Sequence, residues 1–229
     1  MNSSAFLYAL IAGLIPSFIW LYFWTREDLH HPEPKSLIAG TFFAGAIAVL
    51  FAIFAEQYVA GLVSDPVIRY SAWATIEEVL KFIAVGLVAL GASSNDEPID
   101  AMVYCIVAAL GFAALENMLF LMGPLSNGEI ARSIVTGNMR FIGATLVHIA
   151  SSASIGFALG ITFYKKRFVR IFAAIIGLGV AILIHTSFNI SIVNASSGDT
   201  LKTFAWIWGA IVILIILFEE VKVVRPKLL

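Results

Sequence analysis

The stretch RYSAWATIEEVLKFIAVGLVALG, residues 69–91, decides how the rest of the chain is read. Its flanks are those of a membrane span, yet Glu77, Glu78 and Lys81 lie in its middle. An ionisable side chain at the centre of a membrane helix costs roughly 2.5–3.5 kcal/mol on insertion scales, and such groups usually face a bundle interior or a wet cavity. Three of them within five residues predict polar partners on other helices, and so a bundle around this one.

The composition agrees. Of 229 residues, 60% are hydrophobic and 13% charged, whereas soluble domains run at about 45–50% and about 25%. Mean hydropathy is +0.95. The net charge of −1 gives no basic surface for nucleic acid. The single cysteine, Cys105, has no partner for an internal disulfide. A bilayer core of about 30 Å needs about 20 helical residues. On that measure the runs 5–24, 37–59, 69–91, 100–123, 139–164, 171–193 and 204–220 read as spans. The first run lacks a basic flank and a cleavage site, so it reads as a retained span rather than a signal peptide. The expected fold is an all-α polytopic membrane bundle of about seven transmembrane helices, or eight. It forms one domain over 1–229, with its motifs between 69 and 193.

Lys and Arg placement orients the bundle. One side carries Arg69, Arg132, Arg140 and Lys202. The other carries Arg26, Lys35, Lys165, Lys166, Arg167, Arg170, Lys222, Arg225 and Lys227. Four against nine puts the second side in the cytoplasm, with the N-terminus outside and the C-terminus inside. KKRFVR, 165–170, reads as an anchor on that side.

Four of the spans carry polar groups at one depth. Glu77 is eight residues in from the outer start of its span, and Glu116, beside Asn117, is seven short of the outer end of the next. His148 is nine in, and His185 eight short. At 1.5 Å per residue all four lie roughly 10–14 Å below the outer face. Glu77 and Lys81 are four apart, as are His185 and Asn189, so each pair shares a helix face. Glu77 and Glu78 point about 100° apart, which predicts different roles. Taken singly, these groups have structural readings: an intrahelical Glu–Lys pair, or histidines bonding helix to helix. Their common depth favours a site. HHPEP, with His30 and His31, reads as a solvated connector, and Glu56 as a solvated group near the outer interface. Gly156 and Gly160 form G-x-x-x-G, a signal for close helix packing.

Two imidazoles and a carboxylate can hold zinc with a position open for water, while a second carboxylate takes a proton. A Glu–His pair can also activate water without metal. Spacing leaves both open. A proton- or cation-coupled transporter could use the same buried groups, although the two related halves common in transporters are not visible.

The motifs IEEVLKF, GFAALENMLFL, VHIASSASIG and HTSFN, in that order on successive spans, resemble the PrsW family of intramembrane proteases. That family is related to the CAAX prenyl endopeptidases and the bacteriocin-immunity-type membrane proteases. PEPKSLIAGTFFAG is similar to the start of the family's second span, and the likeness runs from about residue 5 to 193. The resemblance implies cleavage of membrane-anchored proteins, such as anti-sigma factors, near the outer face of the cell membrane. It implies Glu77, Glu78 and His185 as essential residues, with Glu116 and His148 as further motif positions. The family's last motif often ends in aspartate where this chain has Asn189, which suits oxyanion binding better than metal ligation. The expected roles are then Glu77 as general base, tuned by Glu78 and Lys81. His148 and His185, with Glu116, hold zinc or polarise the water and the scissile carbonyl. Asn189 binds the oxyanion, and Asn117 supports Glu116. The expected partner is a single-pass membrane protein.

Overall fold

The computed structural model of the chain describes residues 3–26, 31–194 and 200–226. Every regular element among them is helical: α1 (Ser3–Arg26), α2 (Lys35–Leu62), α3 (Pro66–Val88), α4 (Asp100–Ser126), α5 (Ile130–Met139), a π-helical turn (Arg140–Ala144), α6 (Thr145–Ile161), α7 (Arg167–Asn194) and α8 (Thr200–Lys222). α5, the π turn and α6 run on as one rod of 32 residues. The described residues thus hold seven long helical segments, as expected. Six are long and apolar enough to cross a membrane. The seventh, α3, is 23 residues long and differs in carrying Arg69, Glu77, Glu78 and Lys81.

The arrangement follows from where each helix is apolar. α4 is buried on every face from Asp100 to Ala114, as suits a helix that is hydrophobic all round. It forms the centre together with α6. α1 and α2 pack on α4, α7 and α8 pack on α6, and α3 bridges α2 to α7. α8 buries Phe204, Ile207, Ile211, Leu214, Phe218 and Val221. That alternation of three and four residues is a single helical stripe. α3 is reversed: its buried face is Ala74, Glu77, Glu78, Lys81, Ala84 and Val85, while Ile68, Ile83 and Leu87 are exposed. The helix starts cleanly, with the Asp65 carboxylate accepting from the Ile68 N–H at 2.9 Å and Pro66 in the first turn.

Backbone contact between helices needs residues without side chains. α2 and α4 cross where Gly111 faces the Phe42 carbonyl and Gly45 faces that of Ala108. Gly156, the first glycine of G-x-x-x-G, lies on the Met102 backbone of α4, which sets the α4–α6 distance that the site below depends on. Gly156→Val puts a branched side chain into that contact. It is expected to lower stability by about 1–3 kcal/mol or more, read as a drop in the unfolding midpoint in detergent.

One expectation changes. The stretch 124–138 was expected to be a connector, with the fifth span starting at 139. Helix α4 instead continues to Ser126, the chain turns at Gly128 with φ 75°, and helix resumes at Ile130. At 1.5 Å per residue the rod to Ile161 is about 48 Å long, well beyond a bilayer core. Polar residues such as Arg132 and Asn138 hide this helix from a hydropathy reading. Packing on α4, with Gly137 against Leu121, supports it. The connectors around 27–30 and 195–199, including His30, lie outside the described residues. His31 Nε2 lies 3.8 Å from Glu97 Oε1, and both side chains are exposed.

Candidate active site

Each helix of the core contributes a polar residue at the same level, and these side chains meet. Glu78 on α3 is fully buried and accepts three hydrogen bonds. Lys81 Nζ donates to Oε1 at 2.5 Å, His185 Nδ1 to the same oxygen at 2.7 Å, and Ser152 Oγ to Oε2 at 3.0 Å. A buried carboxylate with a cation and two further donors is an internally satisfied anion. Lys81 Nζ also lies 3.1 Å from His148 Nδ1 and 5.1 Å from the centre of the Phe112 ring.

These partners assign the imidazole protons. An ammonium only donates, so His148 Nδ1 presents its lone pair, and its Nε2–H donates to Glu116 Oε2 at 2.8 Å. A carboxylate only accepts, so His185 carries its proton on Nδ1 and its Nε2 is free. The two rings stand edge to face, with centres 4.9 Å apart. Two ring nitrogens lie near one atom, Glu77 Oε2: His148 Nδ1 at 3.8 Å, its lone pair engaged by Lys81, and the free His185 Nε2 at 3.7 Å. That oxygen is buried and has no hydrogen-bond partner. Glu77, His148 and His185 are the one group of three such side chains among the described residues whose ligand atoms converge, all within 4.8 Å.

Lys81 already engages His148 Nδ1, while Glu77 Oε2 and His185 Nε2 face each other as acceptors, an arrangement that a positive charge between them would relieve. The donor set of two imidazoles and a carboxylate is that of many catalytic zinc sites. Each imidazole also gives its other nitrogen to a carboxylate, the outer arrangement that orients metal-bound histidines. The residues therefore fit a divalent cation.

The triad opens on a cavity of about 520 Å³ whose wall includes Glu77, Glu116, Arg140, His148, His185 and Asn189. Trp73, Phe188 and Phe204 make it partly apolar. A larger groove of about 690 Å³ between α1 and α5 has no carboxylate or imidazole on its walls.

The structure brings together all the residues singled out from the sequence, with different neighbours in places. Glu77 and Glu78 are both buried, one on the cavity wall and one behind it. Glu116, expected among the metal ligands, turns its Oε2 to Arg140 at 2.6 Å and to His148, and Glu77 stands in the triad instead. Asn117 takes a bond from Arg140 Nε at 2.5 Å and donates to Thr145 Oγ at 3.1 Å. Asn189 lies one turn beyond His185 on the cavity wall. Glu56, read as a solvated group near the outer interface, is half-buried on α2 and lines the same cavity. Arg140 was counted among the outer topogenic charges and is inside the site. Ser152 was passed over, although it stands four residues after His148 on the same helical face.

The sequence has counterparts among known proteins. A model of the family described as PrsW family intramembrane metalloprotease matches residues 33–218. Curated relatives named Protease PrsW come from Geobacillus kaustophilus (strain HTA426) and Bacillus subtilis (strain 168). The first is 29% identical over 160 residues, 69% of this chain and 66% of the relative. The second is 28% identical over 194 residues, 80% of this chain and 82% of the relative. No solved structure matches significantly. The family match covers far more than half of the chain and contains every residue of the triad, and the chain belongs to the PrsW family of intramembrane metalloproteases.

Proposed function

We propose that the protein hydrolyses a peptide bond of a single-pass membrane protein, of the anti-sigma-factor kind, at a centre formed by Glu77, His148 and His185. The observation that carries this reading is the convergence of three acceptor atoms on the wall of a cavity, one of them the unpartnered Glu77 Oε2. Glu77, His148 and His185 would hold the divalent cation, zinc on the strength of the donor set. Such an ion polarises a water and the scissile carbonyl. Glu78 fixes the His185 ring through its Nδ1–H. Glu56, on the wall of the same cavity, would take the proton of the water. Asn189, also on that wall, would donate its amide hydrogens to the developing oxyanion, a stabilisation that is usually the largest single contribution in acyl transfer.

A second reading rests on Lys81. Its ammonium lies 3.1 Å from the His148 Nδ1 lone pair, the same electrons a metal would use. In that reading no metal enters, and Glu77 itself takes the proton from water while His148 and His185 hold the water in place.

The topology fits an outward-facing site. The cavity is lined at the ends of α2 and α7 and the starts of α3 and α8. With Arg140 internal, that side keeps three topogenic charges, Arg69, Arg132 and Lys202, against nine on the other. By the positive-inside rule the cavity faces outward and the C-terminus is cytoplasmic.

The test is purified protein in lipid nanodiscs with a single-pass anti-sigma factor, assayed for cleavage products by mass spectrometry and for bound metal by elemental analysis. The expected result is specific cleavage, about one zinc per chain, and a loss of at least about 10-fold on chelation, restored by zinc. Cleavage by metal-free protein selects the second reading. Ion uptake without any cleavage would overturn both and favour transport.

A further inference from the structure

We propose that Arg140 is a positioning residue of this site: it holds the Glu116 carboxylate that accepts from His148 Nε2–H and so fixes the orientation of the His148 ring beside Glu77. The inference rests on the triad reading above and extends it to a residue outside the motifs.

Arg140 sits in a built socket. Three residues on one face of α4 receive it: the Glu116 carboxylate at 2.6 Å from a terminal nitrogen, the Asn117 amide oxygen at 2.5 Å from Nε, and the Phe120 ring at 4.0 Å from the guanidinium carbon. Its side chain is 13% exposed. A charge that only marks membrane topology would be solvated at the surface. Arg140 also opens the π-helical turn between α5 and α6, and such turns are frequent at functional sites.

The connectivity gives the socket a purpose. On one side of the triad, Lys81 and Ser152 hold Glu78, and Glu78 holds His185 Nδ1–H. On the other, Arg140 holds Glu116, and Glu116 holds His148 Nε2–H. The same order of cation, carboxylate and imidazole occurs twice. Both chains end with a ring nitrogen near Glu77 Oε2, at 3.7 and 3.8 Å. Glu116 is more exposed than Glu78, at 20% against 0%, so it depends more on its cation to stay in place. Without Arg140 the carboxylate is free to turn into the cavity, and His148 loses the acceptor that fixes its ring.

Two measurements test this. In the first, 15N-histidine-labelled protein in nanodiscs is examined by NMR, with the His148 signals assigned by loss in His148→Asn. The wild type should show His148 protonated on Nε2. Lys81 keeps Nδ1 unprotonated in every variant, so the readout is the Nε2–H proton: Arg140→Gln should move it upfield and speed its exchange with water, and Arg140→Lys should leave it in place. In the second, cleavage of a synthetic single-span peptide with a fluorophore and a quencher flanking its outer juxtamembrane segment is followed. Arg140→Gln should lower kcat by about 10–100-fold, the usual range for residues that orient a ligand, with KM little changed. Arg140→Lys should recover part of the loss. The double variant Arg140→Gln/Glu116→Gln should be no slower than Glu116→Gln alone, because both changes break one chain of contacts. An unchanged His148 Nε2–H signal in Arg140→Gln, an effect confined to KM, or losses that multiply in the double variant would overturn the proposal. If the wild type cleaves nothing, the proteolytic reading falls, and the NMR result still decides the role of Arg140.

Discussion

Glu77→Gln is expected to stop cleavage and to leave the fold at least as stable as before. The carboxylate oxygen at the centre of the triad has no hydrogen-bond partner and lies 3.8 Å from His148 Nδ1, which Lys81 engages, and 3.7 Å from the free His185 Nε2. That arrangement is unfavourable for the resting protein, and strain of this kind persists at functional sites because function requires it. Gln has nearly the same shape. Its NH2 group can donate to one of the two nitrogens, so the amide should relieve the repulsion while abolishing both metal ligation and proton acceptance. Removing a group that meets the attacking water is expected to lower kcat by about 10³-fold or more. Cleavage of a single-pass substrate and thermal unfolding should be measured on the same preparation. Undiminished cleavage would remove Glu77 from the chemistry. A collapse of the unfolding midpoint would make it a structural residue.

Lys81→Met is expected to have the largest effect on stability. Lys81 and Glu78 form a 2.5 Å ion pair with side-chain exposures of 1% and 0%. Removing one partner of a buried pair leaves the other charge uncompensated, at a cost of about 3–5 kcal/mol. His185 and Ser152 would still donate to Glu78, but neither supplies a full positive charge. Removing both charges, in Lys81→Met/Glu78→Gln, should recover most of the loss, because the amide oxygen can still accept from His185. Unfolding midpoints of the single and double variants give the coupling directly. If Lys81→Met is as stable as the wild type, the pair is not what holds α3 against α6 and α7. If the double variant is no better than the single, the lysine acts through packing on Phe112 and not through its charge.

The helical bundle was legible along the chain. Apolar runs of the right length predicted seven long helices, and the reversed polarity of α3 was visible in Glu77, Glu78 and Lys81. The membership of the site was largely legible too, since Glu77, Glu116, His148 and His185 occur at one depth counted from the ends of their spans. The partners were not. Arg140 lies between a polar stretch and an apolar one, so hydropathy assigned it to the surface. The amphipathic helix and π turn that carry it inward are held by contacts with α4. Glu116 was given to a metal because its residue type suits one, whereas in the structure its Oε2 is engaged by a guanidinium and an imidazole.

What the sequence determined by itself is what depends on distance along the chain: which segments are long and apolar enough to span a bilayer, and at what depth each carries a polar group. What only the tertiary structure decided is what depends on the rotation of each helix about its axis. Adjacent residues on a helix differ by about 100°, so a turn of that size in α3 would exchange Glu77 and Glu78. For α3 the rotation is set by its contacts with α2 and α7, helices far apart in sequence. Those contacts place Glu77 at the cavity with an unpartnered oxygen, and Glu78 behind it with three donors.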